Sequence, residues 1–408
     1  MEAITGPISL RQIFLDRRNW LRFWAYYILT LRWSIVYNVA RMLACQTGRL
    51  GWHSYRCSQC GLTVRIRHTC KSRFCSRCGV LAADRWVERT LSKLLPVDYQ
   101  HLVFSVPFEL RPWLAANRQV GLDILLGAVK DTLLDFAKSA GYRPGIILVL
   151  HTFGSDLKWH CHIHVLITAG GLSLDNSRWL TRRFLPQQAI RPMFRHRLLT
   201  ALRKAAEKKL LKAPPKQRFL RAPAAFSSWL SQFFTREFYV HFSRTLENPR
   251  HTVGYVGRYG RRPVMAEHRI LAYDRKTVTF RYKDYLSGNL AATMTLSTSD
   301  FIARLVSHIP DANFRILRYA GIFANRVRTK LLPVARRLLS APQPKPPPQP
   351  VPWHLRRLRS TGSDPLVCPR CHIPLAFAGF SFPPVSLRAS LASFDVRAYL
   401  QNNPPLRA

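Results

Sequence analysis

Apolar positions recur along this chain with two different periods, and the change from one to the other marks out its elements. Residues 1–44 read as helical, with aromatic and arginine faces. Helical periodicity returns over 84–140 around "WVERTLSKLL" and "VGLDILLGAVKDTLLDFAKSA", interrupted by the strand "HLVFSV" at 101–106. The runs "GIILVLHT" (145–152) and "CHIHVLIT" (161–168) predict two strands, and the seven-residue polar stretch "FGSDLKW" between them suits a hairpin. A basic helix is predicted over 193–212, an aromatic-rich stretch follows, and 269–284 alternates like a strand pair. A further helix carrying Arg304 and Arg318 leads to "SAPQPKPPPQPVPW" (340–353), whose proline density predicts an extended linker. There are no internal repeats.

Charge then selects the partner. The chain has 63 Lys and Arg against 21 Asp and Glu over 408 residues, a formal net charge of +42. With 47% apolar content this charge sits on folded domains, and a polyanion is the expected partner: nucleic acid first, a membrane surface second. The segment "FWAYYILTL" (23–31), flanked by Arg22 and Arg32, is far short of the roughly 20 residues needed to span a bilayer, and reads as an amphipathic helix. No membrane association is expected. The nine cysteines are grouped in close pairs, unlike a secreted disulfide framework, so the cytoplasm is the expected compartment.

Cys57, Cys60, Cys75 and Cys78 form C-x2-C-x14-C-x2-C, close to the spacing of a four-thiolate zinc ribbon. A structural zinc ion is expected, because metal coordination replaces a core that so short a segment cannot build. Cys70, with Cys45, His53 and His68 nearby, is a possible additional ligand, could belong to a second site, or is a buried thiol. Arg65, Arg67, Lys71, Arg73 and Arg77 lie among the cysteines, and Arg73 and Arg77 are candidate DNA contacts; a solvated charged face is the alternative. The C-terminal pair Cys368 and Cys371 supplies half a metal site whose partners the sequence does not reveal.

"KWHCHIHVLIT" (158–168) places His160, His162 and His164 on one face of a strand. Two adjacent imidazoles are either a metal pair or a hydrogen-bonded core pair, and the H-x-H-x-H pattern favours metal. His151, near the end of the preceding strand, is brought opposite by the hairpin and is the candidate third ligand, ahead of Asp156. Ligand softness alone suggests zinc, nickel or manganese. Further on, "HTVGYVGRYGRRP" (251–263) carries Tyr255 and Tyr259 at i and i+4, a spacing usual for core aromatics. Arg258, Arg261 and Arg262 beside them suit phosphate binding and favour a role at DNA.

In order, "TCKSRFCSRC", "LLPVDYQHLVFSVPFELRP", "LHTFGSDLKWHCHIHVLITAGGL" and "YVGRYGRRPVMAEHRI" resemble the two-tyrosine rolling-circle transposases of bacterial insertion-sequence family ninety-one, from about residue 40 to about 330. The chain departs from that pattern at Cys161, commonly proline, and at Phe74 and Ser76, where histidine and proline are usual. The resemblance implies an α+β fold: an antiparallel-sheet catalytic domain of the His-hydrophobic-His endonuclease class with flanking helices, plus a small N-terminal zinc-binding domain. The implied organisation is a helical segment (1–44), a zinc-binding domain (45–83), the nuclease/transposase domain (84–335), a Pro-rich linker (336–353) and a C-terminal tail with CPRC (354–408). It further implies that Tyr255 and Tyr259 are nucleophiles, that His162, His164 and His151 hold Mg2+ or Mn2+ rather than a softer ion, and that the substrates are single-stranded DNA at element ends and target DNA. The activity implied is nicking and joining through a 5′-phosphotyrosine. The alternatives are a non-catalytic zinc-containing DNA-binding protein derived from such an enzyme, and a replication-initiator or relaxase-type nickase.

Overall fold

The computed structural model describes residues 7–243, 253–254, 264–284, 287–288, 290–342 and 351–402. Their strands, in chain order, are β1 (Trp52–Arg56), β2 (Thr63–Arg67), β3 (Tyr99–Ser105), β4 (Tyr142–Arg143), β5 (Gly145–Phe153), β6 (Trp159–Thr168), β7 (Gly170–Ser173), β8 (Trp179–Thr181), β9 (Val240–Phe242), β10 (Ile270–Tyr273), β11 (Thr277–Asp284), β12 (Leu290–Ser297), β13 (Leu317–Gly321) and β14 (Ala376–Ser381). The chain divides into two compact units. One takes the described parts of Met1–Arg85, Arg261–Ile309 and Pro346–Ala408; the other takes those of Trp86–Gly260 and Pro310–Lys345.

The second unit is built on a five-stranded antiparallel sheet of order β13-β5-β6-β3-β9. Side chains on a strand alternate between faces, and here the alternation separates two environments. Leu102, Phe104, Ile146, Leu148, Leu150, Cys161, Ile163, Val165 and Ile167 enter the main core. There they meet Leu125 and Val129 of the helix Arg118–Ser139, and Phe194 and Leu198 of the helix Gln187–Glu207. On the other face Tyr99, Ile147, Val149 and Leu166 join a smaller core with Trp86, Leu94 and Phe323. The same face also carries five histidines: His101 on β3, His151 on β5, and His160, His162 and His164 on β6. A small sheet, β4-β7-β8, adjoins in sequence.

The first unit contains two three-stranded sheets, β14-β1-β2 and β10-β11-β12. Its N-terminal helices, Leu10–Leu15, Asn19–Tyr26 and Trp33–Leu43, bury Phe14, Trp20, Phe23, Trp24, Val36 and Val39. Tyr273 ties the strands to these helices: its hydroxyl donates to Asp16 Oδ2 at 2.8 Å and accepts from Asn19 Nδ2 at 3.0 Å. The helix Thr298–Ser307 starts at Ser297, whose Oγ accepts from the Asp300 amide.

The α+β class with a Cys-rich N-terminal region is as the sequence implied, while several boundaries differ. The aromatic helix stops at Tyr26, and the rest of "FWAYYILTL" turns back through a bond from the Thr30 amide to the Tyr27 carbonyl. The basic helix starts at Gln187, before Pro192, and ends at Glu207. The alternating stretch gains a third strand, β12. The described part of 354–408 does not form a separate tail, because β14 pairs with β1. Of the expected Pro-rich linker (336–353), residues 343–350 lie outside the described residues, and its first three residues instead complete the helix Arg328–Leu338. Among the described residues, no helix is long and apolar enough to cross a membrane.

Candidate metal centres

The β5–β6 hairpin is tighter than its sequence suggested, turning through 154–158 with Leu157 in the left-handed region at φ 63°. Its register sets His151 directly opposite His162, and His164 opposite Val149. The three imidazoles of His151, His162 and His164 thereby converge, each offering a nitrogen within 4.8 Å of the others. Asp156 stays in the turn, where its carboxylate accepts from the Lys158 amide at 3.1 Å. His160 lies one step outward on the same face, its Nε2 2.9 Å from Ser105 Oγ. Between the paired histidines, Ile163 points the opposite way and is fully buried in the main core.

A residue not singled out from the sequence completes this face. His101 of β3 is diagonal to His164, its Nε2 2.9 Å from His164 Nδ1, with the two rings nearly parallel at 3°. Only the β3–β6 register brings them together; the lone histidine in "QHLVFS" gives no local sign of it. Hydrogen bonding also fixes the His162 ring, whose Nδ1 lies 3.0 Å from the His160 carbonyl and must therefore donate, leaving Nε2 with its lone pair. Burial pushes His162 down to about 4, helped by His160, and pushes His101 down to about 4, helped by His241. Burial, then His151 and His162, hold His164 well below the ordinary imidazole range. These rings are thus neutral at physiological pH, the form a cation requires.

Tyr255, Tyr259, Arg258, Arg261 and Arg262 lie outside the described residues. Arg73 is half-buried beside Phe74, and Arg77 is exposed with its Nη1 donating to Gln46 Oε1 at 2.8 Å.

The cysteines separate into two quartets, which corrects the expected grouping of Cys57 and Cys60 with Cys75 and Cys78. One quartet is Cys45, Cys70, Cys75 and Cys78; the other is Cys57, Cys60, Cys368 and Cys371. The reason is strand length. Cys57 and Cys60 occupy the turn between β1 and β2, while Cys45 and Cys70 flank the open end of that hairpin, where the Gln46 amide donates to the His68 carbonyl. Five-residue strands span roughly 16 Å, too far for one tetrahedral centre to join both ends.

In the first quartet Cys78 Sγ lies 3.7 Å from Cys45 Sγ and 3.6 Å from Cys70 Sγ. Zinc at about 2.3 Å from four sulfurs places those sulfurs about 3.8 Å apart, so the spacing fits. Cys70 is therefore a member of this quartet, as is Cys45. The thiols divide electrostatically. The Cys45, Cys70 and Cys75 side chains hold Cys78 far below the ordinary thiol range, and Cys70 brings Cys45 down to about 7. Cys70 and Cys75 are pushed far up, each most strongly by Cys45. Thiols crowded this closely shift one another's proton affinity in both directions, and a divalent cation in their midst would replace the protons of all four.

Comparison with known proteins agrees with this chemistry. Residues 17–106 match the family model "Transposase zinc-binding domain", and residues 145–330 match the model "Putative transposase". The chain is 34% identical over 358 residues to "Transposase for insertion sequence element IS801" of Pseudomonas savastanoi pv. phaseolicola, covering 86% of this chain and 84% of the relative. It is 32% identical over 336 residues to "Putative transposase y4qJ" of Sinorhizobium fredii, covering 80% and 84% respectively. No solved structure matches. Both halves of the chain, the Cys-rich region and the histidine sheet, thus fall within transposase models, and the similarity runs through most of each relative: the chain belongs to the transposases of insertion-sequence family ninety-one.

Proposed function

We propose that this transposase is a metal-dependent tyrosine DNA endonuclease and strand transferase, acting in the bacterial cytoplasm on single-stranded DNA at its element's ends and at the target, by rolling-circle transposition. The observation carrying this reading is the convergence of His151, His162 and His164 on one buried sheet face. A single cation held there supplies Lewis-acid polarisation of a scissile phosphate. Three imidazole donors suit manganese better than magnesium, which prefers oxygen ligands. The site's own rings do the holding: His162 is oriented by the His160 carbonyl and His164 by His101, so two of the three donors are fixed before anything binds.

Tyr255 or Tyr259 acts as nucleophile. Its phenolic oxygen gives up a proton and attacks phosphorus in line with the 3′ oxygen. That oxygen leaves and is protonated to a free 3′-hydroxyl, while the 5′ phosphate remains on the tyrosine. The phosphodiester energy is kept in the new ester, so joining to a second strand needs no nucleotide cofactor. Two tyrosines allow donor and target strands to be held in turn. Arg258, Arg261 and Arg262, beside the tyrosines in sequence, supply charge for the phosphates, as do Arg73 and Arg77 at the first cysteine quartet. Zinc in that quartet has a structural role.

The test is nicking of single-stranded oligonucleotides carrying candidate ends, in manganese, with trapping of protein–DNA adducts. Wild-type protein should form an adduct at one of the two tyrosines, and the Tyr255→Phe/Tyr259→Phe double variant should form none. Persistent adducts in that variant would refute the assignment. His162→Ala/His164→Ala should abolish cleavage and retain DNA binding.

A further inference from the structure

The quartet Cys57, Cys60, Cys368 and Cys371 joins positions 308 residues apart, and the zinc-binding family model, ending at 106, covers only half of it. Its four sulfurs lie within 4.8 Å of one another, with Cys60 Sγ and Cys368 Sγ 3.7 Å apart. That separation fits the edge of a tetrahedral zinc–thiolate centre and is far beyond a disulfide bond of about 2.05 Å.

The local backbone is built to the same plan twice. At the first pair, the Cys57 amide donates to the Leu62 carbonyl at 2.9 Å and the Gly61 amide donates to the Cys57 carbonyl at 3.1 Å. At the second, the Cys368 amide donates to the Ile373 carbonyl at 2.8 Å and the His372 amide donates to the Cys368 carbonyl at 2.9 Å. The residue after each second cysteine, Gly61 or His372, is left-handed, at φ 70° and 56°. Histidine pays for that conformation where glycine does not, so the second loop keeps its shape against local preference. Strand pairing brings the loops together. Arg56, just before Cys57, pairs with Ala376, a few residues after Cys371. Among the described residues, the hydrophobic cluster between the loops buries only Cys57, Cys368 and Leu375, with Tyr55, Leu62, Val64, Cys371 and Ile373 packed around them. So small an apolar cluster calls for a metal cross-link.

We propose that Cys57, Cys60, Cys368 and Cys371 bind a second structural zinc ion, which clamps the C-terminal segment onto the N-terminal β1–β2 hairpin. The protein then carries two zinc ions, and the N-terminal zinc-binding region is complete only when the C-terminal loop is present.

The full chain, purified without chelator and in reductant, is assayed by elemental analysis and native mass spectrometry. Two zinc ions per chain are expected for the wild type and one for Cys368→Ser/Cys371→Ser. Cys57→Ser/Cys60→Ser should also retain one, and combining all four substitutions should cost no further metal. That last equality separates a shared site from general unfolding, which would release both ions. Limited proteolysis supplies a second measurement, with cleavage near β14 rising in the Cys368→Ser/Cys371→Ser variant. One zinc per wild-type chain, a Cys368→Ser/Cys371→Ser variant that keeps two, or a Cys60–Cys368 disulfide in place of metal would overturn the proposal. None of these measurements depends on DNA cleavage.

Discussion

Replacing His101 by leucine tests whether the histidine face is a prepared cation site. In the wild type His101 Nε2 sits 2.9 Å from His164 Nδ1, and the ring planes are nearly parallel. For His164 to present Nε2 to a cation its Nδ1 must carry the proton, so His101 Nε2 is the acceptor. Leucine keeps apolar bulk in β3 and removes that acceptor. Loss of a ring-orienting partner typically lowers metal affinity about 10–100-fold, or about 1.4–2.8 kcal/mol. Calorimetric titration of manganese into metal-free protein measures this directly. His101→Gln, whose amide oxygen can accept from Nδ1–H, should recover part of the loss. Manganese affinity unchanged in His101→Leu, with the fold intact by circular dichroism, would refute the positioning role.

Ile163→Ala supplies the contrasting perturbation from the other face of the same strand. Ile163 is fully buried in the main core, so the variant should lose about 2–5 kcal/mol of stability, read by denaturant melting. A loss under about 1 kcal/mol would mean that the core is not packed as described. Acid should weaken the metal-free protein. His101, His160 and His162 are depressed by burial from an ordinary 6.5 to about 4, so the unfolded chain takes up protons below 6.5 while the folded sheet does not. Melting temperature should therefore fall from pH 6.5 toward pH 4, and a flat profile across that window would contradict the burial. Cys45→Ser should release the zinc of the first quartet and leave that of the second, as counted by elemental analysis; loss of both ions, or of neither, would show that the quartets are assigned wrongly.

What could be read directly from the sequence was what neighbouring residues determine. The hairpin carrying His151, His162 and His164 was legible because period-two alternation sets the face, and a short polar turn leaves little freedom in register. His101 was not legible, since its meeting with His164 depends on how β3 lies against β6, and a single histidine in an apolar strand carries no register information. The cysteines show the same limit more sharply. C-x2-C pairs identify half-sites, yet which halves join is decided by strand geometry: β1 and β2 hold the two N-terminal pairs at opposite ends of a hairpin, and β14 delivers the partner from 308 residues away. Closely spaced aromatics in "LAFAGFSF" are the local trace of β14, and without a visible partner strand they read as tail.

The pairing of β14 with β1 has a genetic consequence. β1 lies between β2 and β14, so a nonsense or frameshift lesion anywhere between Arg67 and Cys368 leaves the hairpin Trp52–Arg67 with an open edge. Damage late in the reading frame is thus expressed at the opposite end of the polypeptide, in the region that matches the zinc-binding model. Decayed copies of such an element should consequently yield misfolded, protease-sensitive products, and passive proteins that still occupy its DNA ends should be rare among them.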